Sequence, residues 1–155
     1  MKKSIRHYLV LILAFASCSV YDCSKAEGRL GFIGFASGES DSIIVSVFNR
    51  DTNFQGLVDS TTITPANSGY VTSGDTLTLG YGISTTLIKS DYDYEFYFPK
   101  IDKRYRLTKI TEKQESRNWD LSCNKVGCVN SLINYEQDGQ FVDASGRQNM
   151  IYVRK

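Results

Sequence analysis

Two carboxylates separated by one residue stand in an aromatic stretch of the chain, Tyr92–Phe98. On a β-strand, Asp93 and Glu95 would project from the same face, because side chains alternate with a period of two. Such a pair could act as acid and base in glycoside hydrolysis if the two groups flanked a cleft. The simpler interpretation is a solvated strand face, on which alternation alone places carboxylates at this spacing. We favour the simpler interpretation.

A basic stretch follows, with six cations within 14 residues: Lys100, Lys103, Arg104, Arg106, Lys109 and Lys113. On a strand, Arg104 and Arg106 would share one face and Tyr105 would lie on the other. The cationic face suits an anionic glycan, a phospholipid headgroup or an acidic partner. The alternative is a charged outer face that prevents edge-to-edge aggregation. The possible ligand face is therefore Asp93, Glu95, Tyr97, Arg104 and Arg106.

Residue types limit other chemistry. His7 is the single histidine, and it lies in a segment that we expect to be removed. The mature chain would then lack the imidazole of Ser-His-Asp and Cys-His catalysis and of His-ligated metal sites. Tyr81, Tyr97 and Trp119 could form a carbohydrate platform, although tyrosine commonly packs in β-sandwiches. We predict no catalytic residues, no metal site and no cofactor.

Length and charge bound the class of protein. The chain has 155 residues, of which 41% are apolar, and this predicts one compact domain. Its 18 Lys and Arg residues balance 17 Asp and Glu residues. A nucleic-acid-binding protein would normally show a basic surplus, so we predict no nucleic-acid partner.

The N-terminus has the pattern of an export signal. A cationic segment, Met1–Arg6, precedes the apolar run Tyr8–Phe15, which ends in small residues. This pattern is typical of a signal peptide, and the run is shorter than the roughly 20 residues of a membrane span. Cleavage before Ser17 would release a soluble secreted or periplasmic protein, whereas cleavage before Cys18 would leave that cysteine at the N-terminus.

The segment Phe15-Ala16-Ser17-Cys18 resembles the lipobox of bacterial lipoproteins. The ending Ala16-Ser17-Cys18-Ser19 is similar to that of small Bacteroidota-type envelope lipoproteins, although Phe15 stands where leucine is more usual. The resemblance covers about the first 20 residues. It implies removal of residues 1–17, attachment of lipid (including palmitate) to Cys18, and an anchor in the cell envelope, with the outer membrane expected.

The four cysteines are Cys18, Cys23, Cys123 and Cys128. Export into an oxidising compartment favours a disulfide bond. We favour Cys23–Cys128, because closing a loop of about 100 residues would stabilise the fold by about 4–5 kcal/mol on the chain-entropy model. The alternative is a local bridge between Cys123 and Cys128. A zinc site is disfavoured by the spacing and the lack of histidine.

The pattern of the remaining chain predicts β-structure, and it shows no helical periodicity. Short β-branched or aromatic runs bounded by turn residues predict about nine strands: Leu30–Phe35, Ser42–Phe48, Leu57–Ile63, Thr76–Leu79, Tyr92–Phe98, Arg104–Thr111, Val129–Glu136, Gln140–Asp143 and Asn149–Arg154. Asp138-Gly139 is typical of a type I′ hairpin turn.

These features predict an all-β fold without substantial helix: a single antiparallel β-sandwich, immunoglobulin-like or similar. We expect a signal peptide at 1–17, a lipid anchor and tether at 18–28 and the sandwich at 29–155. Alternation in Tyr92–Phe98 predicts that Tyr92, Tyr94, Phe96 and Phe98 face its core.

Three functions remain open. The favoured one is a non-enzymatic, membrane-anchored envelope lipoprotein that binds or scaffolds an unidentified protein or glycan at the cell surface or in the periplasm. The second is a carbohydrate-active or glycan-binding secreted β-domain. The third is an inhibitor or immunity-type protein. A deep cleft that joined Asp93 and Glu95 to Tyr81 or Trp119 would favour an enzyme.

Overall fold

A computed structural model describes residues 23–36, 38–69, 71–79, 88–114 and 130–155. These residues form ten strands and one helix of four residues. The strands are β1 (Arg29–Ile33), β2 (Ile43–Asn49), β3 (Leu57–Ile63), β4 (Val71–Ser73), β5 (Thr76–Thr78), β6 (Tyr92–Phe98), β7 (Lys103–Gln114), β8 (Asn130–Gln137), β9 (Gln140–Asp143) and β10 (Met150–Arg154). The helix, α1, is Pro65–Ser68.

The strands form two sheets that pack face to face. The four-stranded sheet has the order β10-β1-β5-β4, and the six-stranded sheet has the order β3-β2-β6-β7-β8-β9. Over the described residues, the predicted all-β sandwich without substantial helix is confirmed. One pair corrects the prediction of a purely antiparallel fold, because β1 and β10 run parallel, with Arg29 opposite Met150. Two adjacent parallel strands need a long crossover connection, and here the chain from β2 to β9 connects β1 to β10.

Each of the nine predicted strands is present: three have the predicted bounds, and the others differ by one to three residues at one or both ends. The strand that the sequence did not reveal is β4, whose three residues pair with β5 and are too few to show alternation. Asp138 and Gly139 have φ angles of 51° and 80°. Positive φ at both central positions is the geometry of a type I′ turn, so the predicted hairpin between β8 and β9 is confirmed.

The core lies between the sheets and is centred on the inner face of β6. Tyr94, Phe96 and Phe98 are buried, and Tyr92 is partly buried against them. Their predicted orientation is confirmed. The Phe32 ring of β1 meets the Phe96 and Phe98 rings edge to face, with centroids 6.0 and 5.4 Å apart. Aromatic contacts of this geometry join the two sheets.

Side chains of β8 also bind the backbone of β10 in the other sheet. Tyr135 Oη donates to the Tyr152 carbonyl at 2.8 Å and accepts from Tyr152 N at 3.2 Å. In the same way, Gln137 Nε2 donates to the Arg154 carbonyl at 2.6 Å, and Gln137 Oε1 accepts from Arg154 N at 2.9 Å. These bonds satisfy backbone groups along an edge strand, which would otherwise invite pairing with another chain.

The segment before β1 packs on the domain. Ala26 is fully buried, and Gly28 forms a bridge with Ile88. A Cβ atom at Gly28 would lie 2.5 Å from a methyl carbon of Leu132, so this close approach requires glycine. The last residues of the predicted tether, 24–28, therefore contribute to the packed structure.

Candidate functional site

The predicted ligand residues lie on the outer face of the six-stranded sheet. Cross-strand partners that share a face form three rows: Thr62, Ile44, Tyr97 and Arg104; Ser60, Ser46, Glu95 and Arg106; Leu57, Phe48 and Asp93. The strand order places β7 inside the sheet. Its arginines therefore do not protect a sheet edge, and that interpretation of the basic stretch is wrong.

The two carboxylates of β6 are covered rather than solvated. Asp93 is 3% exposed and Glu95 is 8% exposed. The expectation of a wet strand face is wrong here, because neighbouring side chains and a loop fold over both residues. Buried carboxylates require compensating hydrogen bonds, and the two residues obtain them from different partners.

Glu95 lies between two guanidinium groups. Arg104 Nη1 donates to Glu95 Oε1 at 2.7 Å, and Arg106 Nε donates to Glu95 Oε2 at 2.9 Å. The residues are opposite or diagonal neighbours on β6 and β7, which is why an alternating sequence brings them together. Each carboxylate oxygen thus accepts a charge-assisted bond, the strongest hydrogen bond that side chains make.

Each guanidinium also stacks on an aromatic ring. Arg104 Cζ lies 4.3 Å from the centroid of the Tyr97 ring, and Arg106 Cζ lies 4.4 Å from that of Phe54. Tyr97 Oη in turn donates to Asp102 Oδ1 at 3.0 Å. Stacking fixes the planes of the guanidinium groups. We call Phe54, Glu95, Tyr97, Arg104 and Arg106 the arginine face.

The loop between β2 and β3 supplies Phe54 and covers Asp93. Asp51 N donates to Asp93 Oδ2 at 3.0 Å. Arg50 Nη1 donates to the Ser90 carbonyl at 3.0 Å, and Thr52 Oγ1 donates to the Asn49 carbonyl at 2.7 Å. These bonds hold the loop across the outer ends of β2 and β6.

The pKa values of the two carboxyls move in opposite directions. Burial acts to raise the pKa of Glu95, but hydrogen bonds from Arg106 and Arg104 outweigh it and hold the pKa below the usual range. Burial raises the pKa of Asp93, although the bond from Asp51 N opposes the rise. Oδ1 of Asp93 has no hydrogen-bond partner among the described residues. Glu95 is therefore ionised at neutral pH, and both of its oxygens are engaged.

Among the cavities bounded by described residues are two at opposite ends of the sandwich. One of about 500 Å³ is lined by Ser24, Lys25, Glu27, Lys89, Asp91, Tyr92 and Asn149. The other, of about 310 Å³, has Phe35, Asp41, Asp75 and Leu77 among its lining residues. Neither is lined by a residue of the arginine face, and the arginine side chains of that face are about half exposed.

The other predicted residues are dispersed. Lys109 pairs with Glu136 across 2.9 Å. Lys100 is exposed in the turn between β6 and β7, and Lys103 is exposed as the first residue of β7. Cys23 is not a free thiol. Tyr81, Trp119, Cys18, Cys123 and Cys128 lie outside the described residues, so the aromatic platform, the lipid site and the disulfide partner stay predictions.

Sequence reasoning missed two residues that organise this part of the fold. Phe54 is the only aromatic residue in a polar loop. An isolated aromatic residue of this kind could have indicated that the loop packs on the sheet. In the sequence, Glu112 only adds a negative charge to the basic stretch. In the structure it accepts hydrogen bonds from Ser90 Oγ, from Asn130 Nδ2 at 2.8 Å and from Ala26 N at 3.2 Å. The sequence carries no signal for that long-range role.

No family model, curated protein or solved structure matches the chain. Within the described part of the chain, no group of three or more His, Cys, Asp or Glu side chains is placed to hold a metal ion. Of the described residues, none forms a helix with the length and hydropathy of a membrane span.

Proposed function

We propose that this protein is a non-enzymatic, lipid-anchored protein of the bacterial envelope that binds its partner through the arginine face. The observation that carries the proposal is the position of Glu95, which is buried between Arg104 and Arg106. A carboxylate held in this way orients two cations toward solvent. The geometry favours recognition over proton transfer.

The state of the carboxylates supports a binding role. A retaining or inverting glycosidase needs one protonated acid and a second carboxylate that is free to attack or to activate water. Both oxygens of Glu95 accept hydrogen bonds from arginine, and its lowered pKa keeps it from donating a proton at neutral pH. Asp93 has a raised pKa but is covered by the loop that carries Asp51.

The composition of the face also supports binding. Arginine and tyrosine are enriched among the residues that dominate protein interfaces. The side chains of Arg104 and Arg106 are 57% and 49% exposed, and their positions are fixed by Glu95 and by two rings. Preorganised side chains lose little conformational entropy when they bind a partner.

The resemblance to lipoproteins supports the anchored location. Six residue steps separate Cys18 from Ser24, and Asn130 N donates to the Ser24 carbonyl at 2.9 Å. A lipid on Cys18 would then hold the start of the folded domain within about 20 Å of the bilayer surface.

A photo-crosslinking amino acid at Ser46, beside Glu95 in the same row, tests the binding role in the native membrane. We expect a specific crosslinked product from Ser46 and none from the matched site Arg154, which lies on the four-stranded sheet. Equal products from both sites, or none from Ser46, would contradict it. Release of reducing ends from a polysaccharide, abolished in Glu95→Gln, would refute the non-enzymatic assignment.

A further inference from the structure

We infer that the arginine face binds an acidic polysaccharide, through the carboxylate or sulfate groups that such a chain repeats. The inference rests on the proposed binding role of this face and names the ligand class. It follows from the unused donors of Arg104 and Arg106, from the way the two guanidiniums are held, and from the neighbouring surface.

The two guanidiniums keep most of their hydrogen-bonding capacity. An arginine has five N–H donors, and Glu95 takes one from Arg104 Nη1 and one from Arg106 Nε. Arg104, Arg106 and Glu95 together comprise two cations and one carboxylate. The nearby carboxylates of Asp102 and Asp138 are not part of this cluster, because they accept hydrogen bonds from Tyr97 Oη and from Arg106 N rather than from the two guanidiniums.

The backbone at Phe54 is strained in a way that serves this arrangement. Phe54 has a φ of 61°, and Asp51 and Asn53 in the same loop have φ values of 60° and 52°. Asparagine and aspartate tolerate this region, whereas a bulky aromatic residue seldom adopts it. Strain of this kind persists where surrounding contacts enforce it, often at binding sites. Here it places the Phe54 ring on Arg106.

The surroundings of the two cations fit an acidic sugar chain. Arg104 and Arg106 both donate to the Glu95 carboxylate, so their guanidinium groups lie side by side, and one acidic group of the chain can accept hydrogen bonds from both. Ser46 and Ser60 lie in the row beside Glu95, with their Oγ atoms 3.4 Å apart. Their hydroxyls can pair with sugar hydroxyls. The half-exposed arginine side chains are accessible to such a chain.

Binding of the full-length lipidated protein in nanodiscs to alginate, to dextran sulfate and to neutral dextran tests the inference. We expect saturable binding to at least one acidic polymer and none to dextran. Arg104→Gln with Arg106→Gln should weaken that binding about tenfold or more, because each loses charge-assisted hydrogen bonds. Arg104→Lys should weaken it several-fold, since lysine keeps the charge but loses the planar fork.

Arg154→Gln is the matched control, because it removes the same charge from the other sheet and should change affinity less than about twofold. An equal loss in Arg154→Gln would reduce the effect to net charge and overturn the inference. Tighter binding to phosphatidylglycerol vesicles, or saturation by inorganic sulfate alone, would assign the arginines to a lipid headgroup or a small ion instead.

Failure of the inference is distinguishable from failure of the proposed function. A Ser46 crosslink to a protein, with no binding of acidic polymers, would overturn the polysaccharide and leave the binding role standing. The absence of a crosslink at Ser46 together with the absence of polymer binding would contradict both the binding role and the polysaccharide ligand. Thermal unfolding of each variant confirms that lost binding does not come from lost folding.

Discussion

The backbone nitrogen of Asn130 donates a hydrogen bond to the carbonyl oxygen of Ser24 across 2.9 Å. This bond joins the segment before β1 to the start of β8, more than a hundred positions later in the chain. Leu132 N continues the contacts of β8 by donating to Asn149 Oδ1 at 2.8 Å, just before β10. The first and last parts of the domain are therefore assembled around β8.

This contact favours a disulfide between Cys23 and Cys128. Cys23 adjoins Ser24, and Cys128 precedes Asn130 by two residues, whereas Cys123 precedes it by seven. A disulfide requires Cα atoms within about 7 Å, which the shorter distance along the chain favours. Peptide mapping without reduction should yield a Cys23–Cys128 peptide. A Cys123–Cys128 peptide with alkylated Cys23 would show that the local bridge forms instead.

Replacement of Cys18 should release the protein from membranes. We expect wild-type protein to carry lipid mass on an N-terminal Cys18 and to fractionate with membranes, because more than one acyl chain gives stable anchoring. Cys18→Ser should move it to the soluble fraction, as measured by blotting and intact mass spectrometry. A mature N-terminus at Ser17 without lipid would disprove the anchor.

Phe96→Ala should destabilise the domain by about 3–5 kcal/mol, because the ring is fully buried and its removal leaves a cavity. Chemical denaturation monitored by circular dichroism measures the change. Phe141→Ala is the control, since that ring is 69% exposed and should contribute less than about 0.5 kcal/mol. A loss below about 1 kcal/mol for Phe96→Ala would mean that the core does not depend on this ring.

Glu95→Ala should lower stability by about 1–3 kcal/mol, because it leaves two adjacent guanidiniums without their common acceptor. The matched variant is Glu136→Ala, which removes the single and more exposed partner of Lys109 and should cost less than about 1 kcal/mol. Urea unfolding at pH 7 compares them. Similar values for the two variants would show that the double pairing of Glu95 adds no stability.

Protonation of Glu112 should lower the stability of the domain in acid. Burial acts to raise its pKa, but hydrogen bonds from Ser90, Asn130 and Ala26 outweigh burial and lower the pKa below its usual range. With a lowered folded-state pKa, the stabilisation is complete above the unfolded-state pKa of about 4.3 and is lost as the pH falls through the folded-state value. Glu112→Gln should flatten this part of the stability profile between pH 7 and pH 3. An unchanged profile would contradict the role of Glu112.

The sequence alone was sufficient for the local parts of this structure. Alternation in Tyr92–Phe98 identified the buried face of β6, and Asp138-Gly139 identified a hairpin. Both depend on backbone preferences within a few residues, so no knowledge of distant neighbours is needed. The five residues predicted as a ligand face also lie together, because strand alternation and the pairing of β6 with β7 keep them on one surface.

Only the tertiary structure decided how those residues behave. Asp93 and Glu95 have the pattern of solvated carboxylates, yet a loop from β2 covers one and two arginines from β7 enclose the other. The parallel pairing of β1 with β10 and the long-range bonds of Glu112 also depend on chain ends that meet late in the sequence. Burial and charge pairing are set by which segments come together in three dimensions, and that partnership leaves no periodic signal in the residues themselves.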